Sequence, residues 1–252
     1  MRIFSFFGHS NTGKTALIEK LVERLNEEGY RTGYLKLTRH KGPFDAEGKD
    51  TYRIFKKGVK RIALLHEKGS VLWNYSVEDM VEFIKRHFQG VDFLLIEGNA
   101  PIAVPKAQCI KMGEEKVKDP LLLFTCSYDN AGDFHLEKDF DRIYDVVLKK
   151  SMPLLPHIDC EECGFKTCRD FAKAYLKNEV KLKDCRVLSQ NAVVVRVDGK
   201  RIEIKSFVQD FLGSTILGAL SSLKGFEEGG KIQITIDPQS LKALKMEEKY
   251  EG

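Results

Sequence analysis

Long apolar runs are missing from this sequence, and so is a strong charge of either sign. No stretch reaches the roughly 18 apolar residues of a spanning helix, so no membrane partner is expected. The 41 basic and 37 acidic groups leave a net charge of only +4. That bias is too weak to point to nucleic acid or to a charged lipid surface. Proline is scarce, at 7 residues in 252. There is no internal repeat or low-complexity tract, and 42% hydrophobic with 31% charged residues excludes a disordered chain. The segment Met1–Phe7 is too short for a secretory signal, so a cytoplasmic location is expected. Cysteine is sparse and uneven: three of the six crowd into residues 160–168. In a reducing compartment such crowding points to metal ligation rather than disulfides.

What is present is an alternation of strands and helices. Arg2–Phe7 reads as a buried strand. Lys14–Glu28 has apolar residues at helical spacing and stops at Gly29. Strand 31–37, a polar loop over 39–48 and a short helix from Asp50 to Lys57 follow. Strands 60–66 and 70–75 flank a turn at Lys68-Gly69. Ser76 is the expected N-cap of a helix to Phe88. Strand 91–96 ends at Glu97-Gly98, strand 119–126 comes next, and helix 136–149 closes the region. The pattern predicts an α/β fold with a mainly parallel, doubly wound sheet. Two prolines in 151–156 mark a boundary. Beyond the cysteine-rich stretch, strands 192–197 and 201–205 flank the hairpin signal Asp198-Gly199. An amphipathic helix from Ser206 and an alternating strand 231–236 complete a small β-β-α-β unit, whose core is expected to be the Phe207–Leu223 stripe. The expected domains are 1–152, 153–189 and 190–252.

The first strand runs into Gly8-His9-Ser10-Asn11-Thr12-Gly13-Lys14-Thr15, followed by Ala16 and the helix. Strand, glycine loop, helix is the context that makes a Walker A phosphate loop credible and predicts a P-loop nucleoside-triphosphate site over 8–16. Gly8 and Gly13 let the backbone take conformations a side chain opposes. Successive N–H groups and the helix N-terminus then face phosphate oxygens. Lys14 is expected on the β- and γ-phosphates and Thr15 on Mg²⁺. Glu97, at the carboxyl end of an apolar strand, is the expected second metal-side acid. Asp45, in the polar loop, is a further Mg²⁺ candidate, with Asp50 nearby. Asp92, at the other end of Glu97's strand, reads as a solvated start residue. No catalytic water-positioning group is evident.

The stretches GHSNTGKTALIEKLVERL, GYRTGYLKLTRHKGPFDAEGKDTYR and DFLLIEGNA resemble the MobB family of molybdopterin-guanine dinucleotide biosynthesis adaptors. The run Phe44-Asp45, Gly48-Lys49-Asp50-Thr51 and Arg53 is the most specific part. The resemblance implies GTP binding with slow hydrolysis and a homodimer. It also implies partnership with the nucleotidyltransferase that attaches GMP to molybdopterin. The sequence departs from the family at Thr38-Arg39-His40-Lys41, where several histidines are usual, and at Gly98-Asn99-Ala100. It contains no Asn-Lys-x-Asp element for reading guanine, so base identity rests on the resemblance.

Cys160, Cys163, Cys168 and Cys185 have the spacing C-x2-C-x4-C-x16-C. Four thiolates suit a [4Fe–4S] cluster. A tetrahedral zinc site is the competitor, although zinc modules more often carry two separated C-x2-C pairs. The helix expected over 169–180 returns the chain to Cys185. The segment CEECGFKTCRDFAKAYLKNEVKLKDC also resembles the four-cysteine iron–sulfur domain of corrinoid iron–sulfur proteins, which implies cluster ligation by these four residues. Cys126 reads as a buried hydrophobe and Cys109 as the same, with reactivity as the alternative. Trp73 and Tyr75 read as core or dimer contacts.

Three functions fit these residues. One is a GTP-binding adaptor for molybdenum or tungsten cofactor maturation that carries a cluster. The second is an ATP- or GTP-dependent metal-centre maturation or redox factor. The third is a cluster-bearing redox sensor.

Overall fold

The computed structural model describes residues 1–38, 49–74, 79–189, 193–198, 200–224, 226 and 232–238. The chain divides into two compact units, Met1–Ser206 and Phe207–Gly252.

The first unit opens with strand β1 (Arg2–Phe7), helix α1 (Lys14–Glu27), strand β2 (Thr32–Lys36) and helix α2 (Asp50–Phe55). Strands β3 (Arg61–His66) and β4 (Gly69–Asn74) form a separate antiparallel hairpin. Helix α3 (Met80–His87) leads to strands β5 (Phe93–Glu97), β6 (Lys106–Cys109), β7 (Leu122–Ser127) and β8 (Phe134–His135). Helix α4 (Phe140–Lys150) and strand β9 (Met152–Pro153) follow. The main sheet has seven strands in the order β2-β5-β1-β6-β7-β8, with β9 beside β1. All its pairings are parallel except β9 against β1.

Period-two alternation splits the central strands between two layers. Phe4 and Phe6 of β1 and Phe93 and Leu95 of β5 pack with Leu17, Leu21 and Leu25 of α1 and Ile143 and Val147 of α4. Ile3, Leu94 and Ile96 face the other way, onto Val81 and Ile84 of α3. Each fully buried side chain of this size contributes roughly 1.5–3 kcal/mol.

Sequence and structure differ in places with physical causes. No strand is expected between Glu97 and Asp119, yet β6 lies there beside β1. Its residues Lys106 and Gln108 are polar but buried, and their polar ends are satisfied internally. Ser76 lies outside the described residues. The observed cap of α3 is Asp79, whose carboxylate accepts the N–H groups of Val81 at 2.9 Å and Glu82 at 3.2 Å. Asp92 is more than a solvated start residue: both its oxygens accept from the Arg31 guanidinium at 3.1 Å.

The cysteine-bearing segment contains helix α5 (Cys168–Leu176), a 3-10 turn (Leu182–Asp184) and helix α6 (Arg186–Ser189). It shares a third core with the sheet region: Phe171, Ala172, Leu176, Cys185 and Val187 pack with Ala103, Leu121, Met152 and Leu155. The hairpin β10 (Val195–Val197) and β11 (Lys200–Ile202) follows.

Helix α7 (Ser206–Ser221) carries the chain into the second unit. Its apolar stripe is not the expected core, for Phe207 is 65% exposed and Phe211 67% exposed. The last strand of the β-β-α-β unit is also not formed over 232–237. Ile232, Ile234 and Ile236 alternate as expected but stand exposed, and alternation without a partner edge makes no ladder. No helix of the described residues is long and apolar enough to cross a membrane.

Candidate functional site

The phosphate loop joins the end of β1 to the start of α1. Gly8 has φ 147, Asn11 φ 60 and Gly13 φ 85, so three of its residues lie in the left-handed region that favours glycine. A Cβ on Gly8 would collide with the carbonyl oxygen of Cys109, and one on Gly13 would sit 2.5 Å from the Tyr128 ring. Thr12 is buried and donates its hydroxyl to the His9 carbonyl at 2.9 Å. Lys14 Nζ bridges the loop to the same carbonyl at 2.5 Å and to Thr12 Oγ1 at 3.3 Å. Gly13 is the N-cap of α1, with no side-chain cap and no acidic residue in the first turn. The first-turn N–H groups are therefore left for an anion. Ser10 and Ala16 sit in the loop and at the helix start as expected.

Glu97 ends β5, with Phe6 and Lys36 as its register neighbours. Its Oε2 accepts from Thr15 Oγ1 at 3.0 Å and from the Tyr34 hydroxyl at 2.6 Å, and Oε1 is 3.2 Å from Lys36 Nζ. Burial pushes its carboxyl up, but hydrogen bonds from Tyr34, Lys36 and Thr15 outweigh that and hold it below the usual range. Burial, with the bond to Glu97, raises the Tyr34 phenol in turn. Thr15 and Glu97 together offer two hard oxygens, the donor type Mg²⁺ takes. Asp45 lies outside the described residues. Asp50 stands 96% exposed, 3.6 Å from Arg53. Tyr34 and Lys36 were not singled out from the sequence. Their period-two spacing on one strand, in register with a strand ending in Glu97, is the signal that marks them.

The cysteine site is a small apolar cavity lined by Cys160, Cys163, Cys168 and Cys185 with Leu155, Phe165 and Phe171. His157, Asp159, Glu161 and Gly164 all have positive φ, which coils the loop tightly ahead of α5. Asp159 accepts the Cys168 N–H at 2.6 Å, and Thr167 caps α5 by accepting from the Asp170 N–H at 3.1 Å. Burial pushes the Cys168 thiol up, opposed by the N–H groups of Asp159, His157 and Ile158 directed at it. Burial also raises Cys185, and the neighbouring Cys163, Cys168 and Cys160 raise it further. Four thiolates gathered in an apolar cavity need a multivalent cation to offset their charge. The donor set and enclosure therefore fit a metal group. Among the described residues, no group of three or more His, Cys, Asp or Glu side chains is arranged to hold a metal ion.

Cys109 and Cys126 are paired in register on β6 and β7, fully buried, with their sulfurs 3.4 Å apart. The hydrogen bond with Cys109, together with burial, pushes the Cys126 thiol up. Trp73 is half-buried on the hairpin strand β4, and Tyr75 lies outside the described residues.

Residues 3–126 match the family described as "Molybdopterin guanine dinucleotide synthesis protein B". A Bacillus subtilis protein named "Probable molybdopterin-guanine dinucleotide biosynthesis adapter protein" is 32% identical over 120 residues, covering 45% of this chain and 67% of that one. The chain belongs to the MobB family. Beyond its MobB domain, residues 155–187 match the family described as "Putative Fe-S cluster". A Methanocaldococcus jannaschii protein named "Putative molybdopterin-guanine dinucleotide biosynthesis adapter protein" is 28% identical over 250 residues, 96% of this chain and 100% of that one. The likeness to that relative thus runs through the MobB domain, the cysteine module and the tail together. The solved structure titled "The Crystal structure of Bacillus subtilis MobB" is 26% identical, covers 60% of this chain and 98% of that one, and has a TM-score of 0.45.

Proposed function

We propose that this chain is a GTP-binding adapter of molybdopterin-guanine dinucleotide biosynthesis, with slow hydrolysis, that carries a [4Fe–4S] cluster. The observation that carries the reading is the juxtaposition of the phosphate loop with the Thr15–Glu97 pair, 3.0 Å apart at the end of the central strands. In this reading residues Gly8–Ala16 wrap the phosphates with backbone N–H groups. Lys14 exchanges its contacts with His9 and Thr12 for phosphate oxygens. Thr15 and Glu97 hold Mg²⁺, directly or through its water, with Asp45 as a further oxygen. Tyr34 and Lys36 fix the Glu97 carboxylate and keep it ionised. In this reading turnover is slow and the bound nucleotide sets a docking surface for the partner.

Cys160, Cys163, Cys168 and Cys185 would hold the cluster, and their four-thiolate set at the spacing C-x2-C-x4-C-x16-C favours a cubane cluster over a zinc ion held by two separated C-x2-C pairs. When bound, such a group supplies one-electron exchange. The β3–β4 hairpin supports a homodimer, because among the described residues it joins no larger sheet and leaves Leu64, Leu65, Val71 and Leu72 exposed. The partner enzyme in this reading is the nucleotidyltransferase that adds GMP to molybdopterin, in the cytoplasm, and the chain acts as three parts, 1–152, 153–189 and 190–252. The second reading is a nucleotide-dependent metal-centre maturation or redox factor, favoured by the four-cysteine cavity.

Calorimetry of the full chain with Mg-GTP and Mg-ATP separates the two. Preference for GTP, lost in Lys14→Ala, supports the adapter. Preference for ATP turns the assignment to the second reading, and binding of neither overturns both.

A further inference from the structure

The loop that leaves Glu97 does more than join β5 to β6. Gly98 packs under Leu37, where a Cβ would lie 2.7 Å from Leu37 Cβ. The Ser5 hydroxyl donates to the Gly98 carbonyl at 2.6 Å. Farther along, Ala103 packs in the core that holds Phe171, Ala172 and Cys185. One short segment therefore begins at Glu97 and ends in the buried cluster that contains the cavity-lining residues Phe171 and Cys185.

A polar chain runs beside it. Lys106 is buried at the start of β6, where its Nζ donates to Asn99 Oδ1 at 2.8 Å and to the Ala100 carbonyl at 2.7 Å. The same Nζ is 3.3 Å from Asp119 Oδ2. Asp119, also buried at its side chain, receives Arg169 Nη2 at 2.7 Å on its other oxygen. Arg169 follows Cys168 directly and stands in the first turn of α5. A single buried carboxylate is thus shared between a lysine that holds the Glu97 loop and an arginine attached to the cysteine cradle. A buried lysine is costly unless it is paired. Here its only charged partner among the described residues is one for which an arginine competes.

We propose that Arg169, Asp119 and Lys106 couple the cysteine site to the nucleotide site, so that the redox state of the cluster changes nucleotide affinity and nucleotide changes the cluster's potential. The inference rests on the [4Fe–4S] reading of the cysteine cavity. One electron from an external one-electron donor, a reduced viologen in the test below, adds one negative charge to the cradle. Arg169 is drawn toward that charge and loosens from Asp119. Asp119 then holds Lys106 more strongly, and the Lys106 bonds to Asn99 and Ala100 shift with it. Lys106 is a positioning residue: it acts on Glu97 through the loop. Coupling of this kind is reciprocal, so each site must report the other's state by the same factor.

The test uses the full chain purified anaerobically, with iron and sulfide counted first. Affinity for Mg²⁺ and a non-hydrolysable GTP analogue is measured on oxidised and reduced protein. The cluster's midpoint potential is measured by viologen-mediated titration with and without that analogue. We expect an affinity difference of about fivefold to tenfold, matched by a potential shift at about 59 mV per tenfold for one electron. Arg169→Ala, at a half-exposed position, should keep iron and analogue binding but bring the two affinities within about twofold. Arg169→Lys should restore much of the difference. Absence of iron and sulfide overturns the cluster reading and this inference with it. A full cluster with equal affinities in both redox states overturns the inference alone, as does undiminished coupling in Arg169→Ala. If Arg169→Ala loses its iron, Asp119→Asn is read in its place, by the same two affinities and with the same outcomes.

Discussion

The phosphate loop takes its shape from what surrounds it, whereas the cysteine loop relies far more on its own turns. The first is clamped between β1 and α1, with Cys109 and Tyr128 closing on its glycines. Its threonine and lysine are already hydrogen-bonded within the protein. The second has three left-handed non-glycine residues within 157–161, and four thiols make up much of its interior. One site is completed by the sheet; in the proposed reading the other is completed by what its sulfurs bind. Ligand loss should therefore have opposite consequences in the two places.

The largest effect expected is on the cysteine side. Cys185→Ser, or stripping the metal with a chelator, should destabilise residues 155–188 by on the order of 5 kcal/mol or more. Hydrogen exchange should show that loss there, with β1 and β5 still protected; uniform protection would erase the contrast. Gly8→Ala should cost about 2–4 kcal/mol of global stability by strain and collision with the Cys109 carbonyl, read by denaturant unfolding. Lys14→Ala should leave the melting temperature nearly unchanged while lowering triphosphate affinity about 10- to 100-fold.

Tyr34→Phe should weaken Mg²⁺-dependent nucleotide binding about tenfold, the lower end of what one hydrogen bond to a carboxylate contributes. The Tyr34 bond is one of those that depress the Glu97 carboxyl. Removing it moves that carboxyl up, so Mg²⁺-dependent binding should fail at a higher pH in the variant as pH is lowered. The smallest effect belongs to Asp92. Hydrogen bonds from Arg31 hold its carboxyl down from 3.8 to about 2. That pairing stabilises the fold above about pH 4 and is lost as pH falls toward 2. Asp92→Asn should flatten this acid limb of the unfolding curve and change little at neutral pH.

Much of this was legible in the sequence because it rests on local rules. The phosphate loop follows from a strand, two glycines and a helix, and α1 buries the apolar positions its spacing marks. The four cysteines lie within 160–185 and line one cavity. What escaped depends on tertiary context. Strand β6 contains Lys106 and Gln108, which burial statistics place on a surface, and only Asp119 and the 98–100 loop make Lys106 tenable inside. Tyr34 and Lys36 become partners of Glu97 only through strand register. The tail misled for the converse reason: helical and alternating patterns were present, but exposed Phe207, Phe211 and Ile236 show that pattern alone does not supply a partner surface.

The measurement that tests the account most directly is the iron, zinc and acid-labile sulfide content of the full chain purified anaerobically. The account predicts about four irons and four sulfides per chain, with negligible zinc. One zinc without sulfide would contradict it, leaving a MobB-family nucleotide domain braced by a structural ion and no redox link to the Glu97 loop.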